Sequence, residues 1–181
     1  MPDEFPAAYQ VTIQTTAPVG VAQLTFRPVR HSASTARVSL HVSPVGGDEW
    51  FGDFLGPTHG LTDWSRTPDP THLLVVVGGV GYWVDVLDPS RYEVFEDSLA
   101  TSVHHSLEPR LLLLAGYSDI RAFDASGRAQ WRANNLASDG FTEVRLGSGA
   151  VVVRGYQAAL GCEVETTLDV RDGTVLSRSE C

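Results

Sequence analysis

Between residues 73 and 176 one short design occurs three times. Residues 73–95 read LLVVVGGVGYWVDVLDPSRYEVF: an apolar run (Leu73–Val77), a burst of glycine, an alternating run, then Asp88-Pro89. Residues 109–131, PRLLLLAGYSDIRAFDASGRAQW, repeat the order with Leu111–Leu114, Gly116, Ile120–Phe123, an Asp124-Ala125-Ser126-Gly127 turn and a run ending in Trp131. Leu87–Arg91 lies over Phe123–Gly127, and Phe95 lies over Trp131. A third copy begins at Ala150, with Val151–Val153, Gly155, Thr167-Leu168-Asp169 and a turn at Arg171-Asp172-Gly173. Gly79, Gly116 and Gly155 are 37 and then 39 residues apart.

The glycines could cradle a phosphate only if a helix followed them, because the helix N-terminus supplies the amides and the dipole. Tyr82, Trp83, Val84, Asp85, Val86 and Leu87 follow instead. These residue types suit a strand, and Asp88-Pro89 ends it. Strand, glycine turn, strand is the reading. A period near forty residues carrying three or four short strands is the signature of a propeller blade. Stacking of neighbouring blades then explains central strands that are apolar along their whole length, as in sheets covered on both sides. The expected fold is all-β: tandem antiparallel, blade-like meanders forming a propeller-like or open array.

The N-terminal third reads differently. Tyr9, Val11 and Ile13 alternate with polar neighbours, and Thr16–Gly20 is expected to turn the chain back into a strand through Leu24 and Phe26, a hairpin. His31–Ala36 reads as a loop, and Val38, Leu40 and Val42 as a half-buried strand. Residues 44–70 concentrate Pro and Gly and read as a long irregular connection with one short helix over Glu49–Leu55. Residues 1–181 are therefore expected to be a single domain: N-terminal strands over 1–43, a long loop over 44–70 and three repeats over 71–181.

The pieces LLVVVGGVGYWVDVLDP, LLLLAGYSDIRAFDASGRAQWRANNLASDGF and TLDVRDGTV resemble a group of small bacterial proteins without an assigned activity. The group is marked by a Gly-Gly-x-Gly-Tyr segment, an Asp-x-x-Gly turn leading to a tryptophan, and a nearby Asp-Gly. Single units also resemble blades of pyrroloquinoline-quinone-type or WD-type propellers. The resemblance covers roughly residues 70–176. It implies a blade fold and no catalytic residue. The quinone-contacting set of true quinoproteins is missing, and three units are too few to close a ring of four to eight blades.

Charge narrows the partners. The chain carries −9, and all 13 of its basic residues are arginine. An acidic surface repels phosphate backbones, so nucleic acid is not expected as a partner, whereas a basic protein is. No apolar run approaches the length of a membrane span, and the opening MPDEFPAAYQ has neither the charged nor the apolar region of a secretory signal. Cys162 and Cys181 have no metal-like spacing and read as free thiols of a cytoplasmic protein.

Candidate chemistry is sparse. His104 and His105 are adjacent, so a strand points them to opposite faces, and His31, His41, His59 and His72 have no chelating spacing. Ser106, His105 and Asp97 could be assembled into a nucleophile, base and acid, but without a nucleophile elbow. Asp88, Asp124 and Asp169 stand just before turns, where a carboxylate accepts hydrogen bonds from the turn's own amides. No cofactor, metal site or catalytic residue is expected.

One pattern points to binding. Each glycine position is followed by tyrosine: Gly81-Tyr82, Gly116-Tyr117 and Gly155-Tyr156. In stacked blades these side chains would emerge at one end, where Asp119 and the loop tryptophans Trp50 and Trp64 would complete an aromatic, acidic patch. The function expected is a non-catalytic protein-binding module, in its sharper form an acidic immunity or inhibitor protein that neutralises a basic effector. A small-molecule or carbohydrate binder, and an enzyme with an unrecognised site, are the alternatives. An open array also leaves an edge strand through which two copies could pair.

Overall fold

The computed structural model describes residues 5–30, 36–97 and 99–179, and over these residues the chain is all β, without a helix. It divides into two compact units, residues 5–100 and residues 101–179. Each holds two four-stranded sheets.

In the N-terminal unit, sheet I contains β1 (Tyr9–Ile13), β2 (Ala22–Phe26), β3 (Ala36–Pro44) and β4 (Trp50–Gly56) in the order β1-β3-β4-β2. The expected hairpin between the first two strands does not form. Instead β1 pairs antiparallel with β3 at one edge, and β2 pairs parallel with β4 at the other. The stretch read as loop and helix also becomes a strand, because Trp50, Gly52 and Phe54 face one side and Phe51, Asp53 and Leu55 the other, the period of two that defines β structure. Gly52 is no breaker here. A Cβ on it would lie 2.8 Å from the Trp50 ring and 2.9 Å from the Phe54 ring. Residues 31–35 of the expected 31–36 loop lie outside the described residues.

Sheet II is a plain meander: β5 (Asp63–Arg66), β6 (His72–Val77), β7 (Val80–Asp85) and β8 (Tyr92–Phe95). Val77 pairs with Val80, so Gly78 and Gly79 form a two-residue hairpin turn with φ of +57° and +84°. Two positive φ values are what the right-handed twist of a hairpin demands. The amides of Gly78 and Gly79 are spent on Thr62 Oγ1 and the Leu61 carbonyl. Sheets I and II enclose a core of Leu40, Val42, Phe54, Leu73, Val75, Val77, Tyr82 and Val84.

The C-terminal unit repeats the meander twice. Sheet III runs β9 (Ser102–Ser106), β10 (Leu111–Ala115), β11 (Ile120–Phe123) and β12 (Ala129–Ala133); sheet IV runs β13 (Phe141–Leu146), β14 (Ala150–Gln157), β15 (Cys162–Asp169) and β16 (Val175–Ser179). Leu113, Ala115, Ile120, Trp131, Val151, Val153 and Leu168 pack between them. The three copies seen in the sequence are thus the last three strands of sheets II, III and IV, and each sheet adds a first strand of weaker pattern.

Candidate functional site

The two ends of the C-terminal unit differ. At one end three connections meet: the β10–β11 turn (116–119), the β12–β13 link (134–140) and the β14–β15 turn (158–161). Hydrogen bonds cross-tie them. Leu136 N donates to the Ser118 carbonyl at 2.9 Å, and Ser138 N to the Tyr156 carbonyl at 2.8 Å. Ser138 Oγ donates to Gln157 Oε1 at 2.9 Å and accepts from Ala158 N, while Gln157 Nε2 donates to the Asn135 carbonyl. Asn135 takes a positive φ of 57°, which its short polar side chain tolerates.

Two tyrosines stand on this braced end. Tyr117 is 54% exposed and Tyr156 39% exposed, with Leu160, 47% exposed, in the adjoining turn. The Tyr117 ring lies against Gly140, where a Cβ would sit 3.3 Å from the ring, and its hydroxyl donates to Asp139 Oδ1. That hydrogen bond, with the carboxylate's charge behind it, holds the Tyr117 phenol above its ordinary range. Asp119 stands behind the turn and is buried. It accepts from Arg132 Nε at 2.9 Å and Arg132 Nη2 at 2.8 Å, and its carbonyl accepts from Gly116 N. Asp119 therefore braces the loop that carries Tyr117 and does not face outward.

Trp50 and Tyr82, expected in the same patch, belong to the core of the N-terminal unit. Phe26 and Phe54 stack at 4.2 Å, and Tyr82 meets Phe54 edge-on at 5.5 Å. Tyr82 donates to the Leu55 carbonyl at 2.5 Å, and burial pushes its phenol far up. Trp50 Nε1 donates to the Val86 carbonyl at 2.9 Å. Trp64 is half-buried against that core and borders an open cleft of about 280 Å³ with Tyr9 and Arg66. Tyr82 differs from its counterparts for a geometric reason. The two-glycine turn places it third in β7, facing sheet I, whereas Tyr117 lies within its turn and Tyr156 near the end of a longer strand. Gly155 accordingly lies within β14 and is no turn. It is glycine because Ala137 Cβ and the Gly140 carbonyl would sit 2.6 Å and 2.7 Å from a side chain.

At the opposite end of the C-terminal unit an open cleft of about 570 Å³ is lined by His105, Glu108, Ser148 and Arg171 among others. Ser106 Oγ donates to the Glu108 carbonyl at 3.3 Å, a local turn contact. His104 shares Ser102 Oγ at 2.8 Å, and burial, with His105 beside it, holds its pKa below the ordinary value. Among the described residues no group of His, Cys, Asp and Glu is arranged to hold a metal ion. Cys162 is disulfide-bonded, which corrects the free-thiol expectation; Cys181 lies outside the described residues.

The repeated aspartate is shifted in one copy. Asp85 and Asp169 end the third strand of their sheets and Asp124 directly follows β11; all three donate their backbone N–H, to the Arg91, Thr174 and Arg128 carbonyls respectively, and accept on Oδ1 from the amide two residues on. Asp88 instead holds Ser90 Oγ. The longer loop after β7 moves the role three residues toward the N-terminus, a shift that alignment on Asp-Pro conceals.

No family model matches the chain, and no curated protein does. Solved structures do. A eukaryotic initiation factor shares 15% identity over 84% of this chain and 44% of its own, with a TM-score of 0.46. A functionally unknown protein from Desulfotomaculum acetoxidans shares 12% identity over 78% of this chain and 50% of its own, at 0.41. BamB from Moraxella catarrhalis, a propeller-like β-repeat protein, shares 16% over 81% and 46%, at 0.41. The chain spans about half the length of these proteins, and the likeness is one of fold.

Proposed function

We propose that the chain is a non-catalytic protein-binding module that engages its partner through the loop end of the C-terminal unit. The observation that carries this reading is the exposure of Tyr117 and Tyr156 on three connections already tied to one another. Aromatic side chains on a rigid support supply contact area at low entropic cost, and such residues dominate the energetics of interfaces. Both large clefts are open and bordered by polar groups, unlike the enclosed apolar pockets that retain small molecules.

The charge of −9, with Asp139 within the platform, favours a basic partner, and an acidic immunity or inhibitor protein is the sharper form of this proposal. The Cys162 disulfide favours an oxidising compartment over the cytoplasm. The test is a photo-crosslinking amino acid placed at Tyr156, at Leu160 and, as a control, at the fully exposed Val19 in the producing cell. One discrete protein adduct is expected from the first two positions and not from the third; no adduct from either platform position would overturn the proposal.

The 570 Å³ cleft at the other end, with His105, Glu108 and Arg171 on its rim, favours a second reading as a small-molecule or carbohydrate site. Thermal stabilisation by one ligand class, lost in Arg171→Ala, is its expected signature.

A further inference from the structure

We infer that the Tyr117–Asp139 pair is a receptor for a guanidinium group, so that the partner presents an arginine at this point. The inference rests on the binding role just proposed for the loop end and names the chemistry recognised there. Asp139 is exposed, and Tyr117 occupies only its Oδ1; among the described residues nothing donates to Oδ2. Among the described residues no arginine is paired with it, although the arginines on the same unit repeatedly find carboxylates: Arg132 and Arg121 meet Asp119, Arg145 meets Glu143, and Arg154 meets Glu165. The Tyr117 ring is backed on one side by Gly140 and is more than half exposed. A planar cation that stacks on the open ring face brings an N–H to the free carboxylate oxygen beside it. Guanidinium does both at once, whereas a lysine ammonium is a compact, strongly hydrated point charge that cannot stack. The aromatic face and the acceptor are already held in place by the hydroxyl–carboxylate bond and by the 136–140 cross-ties, so little is ordered when the cation arrives.

The isolated contact is exposed, so affinity for a single side chain is on the order of tens of millimolar or weaker. The probe is the capped tripeptide Gly-Arg-Gly, with its lysine and citrulline counterparts, titrated into isotopically labelled full-length chain and followed by NMR. The expected result is saturable shifts at the amides of 116–118 and 138–140 with the arginine peptide, about threefold or more weaker binding by the lysine peptide, and none with citrulline. Asp139→Asn abolishes the shifts, and Tyr117→Leu does likewise. Tyr117→Phe keeps the ring but loses the hydroxyl that holds Asp139, so its shifts persist at weaker affinity, and unchanged amide positions away from 116–118 and 138–140 show that each variant is folded. Equal binding of the arginine and lysine peptides, or no shift at 138–140 at any concentration, overturns the inference. Protein adducts at Tyr156 together with silent arginine peptides would leave the platform standing and remove only the guanidinium.

Discussion

One side chain in each unit fastens its two sheets together in the same way. Trp50 reaches from sheet I to the Val86 carbonyl, and Trp131 from sheet III to the Val170 carbonyl, each at 2.9 Å. Val86 and Val170 each follow the aspartate that ends the third strand. The Trp131 ring lies so close to the next turn that a Cβ on Gly173 would sit 2.6 Å from it, which gives the Asp-Gly after β15 a packing reason. Trp131→Phe keeps most of the ring but strands a buried carbonyl, so equilibrium urea unfolding should show a loss of about 1–3 kcal/mol. Asp124 gives a pH-dependent counterpart. Burial raises its pKa, but hydrogen bonds from Ser126 and Arg128 outweigh this and hold it below the usual 3.8. A carboxyl whose folded pKa is depressed stabilises above the unfolded value and loses that contribution as pH falls through the folded one. Asp124→Ala should therefore cost about 1 kcal/mol at pH 7 and progressively less below about pH 4, read from melts across that range. His104 titrates higher up the scale. Its folded pKa is below 6.5, so the unfolded chain binds its proton first and stability falls as pH drops below about 6.5. His104→Gln should flatten that part of the stability profile.

At the scale of elements, glycines inside strands create close approaches. Gly155 lets the 137–140 link lie directly on β14 and so sets where Tyr156 and the Tyr117–Asp139 pair stand. Gly155→Ala forces that link outward at a cost of about 1–3 kcal/mol. It should also remove the crosslinked adduct at Tyr156 while Trp131→Phe leaves it, a comparison that separates lost geometry from lost stability. The outer strands β12 and β16 share a bulge: Ala122 pairs with Trp131 but Phe123 with Ala129, and Thr167 pairs with Ser177 but Leu168 with Val175. A bulge twists an edge away from flat pairing, which protects two otherwise open edges. The disulfide at Cys162 reinforces the start of β15, and its reduction should lower unfolding stability by about 2–4 kcal/mol, measured with and without reductant.

For the molecule as a whole, the sheets at the two ends of the sequence each keep a polar outer face. Sheet I carries Arg37–Asp53 at 2.8 Å and His41–Glu49 at 3.1 Å, and sheet IV carries Glu143–Arg145 at 2.8 Å and Arg154–Glu165 at 2.9 Å. Sheets II and III contain strands buried along nearly their whole length. With −9 on the chain, attraction to a basic partner of the kind proposed would act over a distance that salt shortens. Crosslinking at Tyr156 should consequently weaken steadily between low and high ionic strength, and a salt-independent yield would argue for an apolar interface instead.

The amino-acid order alone determined the last three strands of sheets II, III and IV and the glycine turn at 78–79, because local signals decide these: apolar runs, β-branched residues and turn chemistry within a few positions; β5, inside the stretch read as a loop, was not among them. It also marked Tyr117 and Tyr156. In sheet I the sequence marked β1, β2 and β3, but their pairing was hidden, since it joins β1 to β3 and β2 to β4 across long separations, and so was β4, where Gly52 resembles a breaker until the rings of Trp50 and Phe54 are seen packed beside it. The fate of the third tyrosine was hidden too. Whether Tyr82 points to water or to Phe54 depends on which sheet covers β7. So it was with Asp139, an unremarkable loop acid until the 134–140 link brought it to the Tyr117 hydroxyl. Local propensity selects the strands, but which side chains meet depends on contacts between segments far apart in the chain.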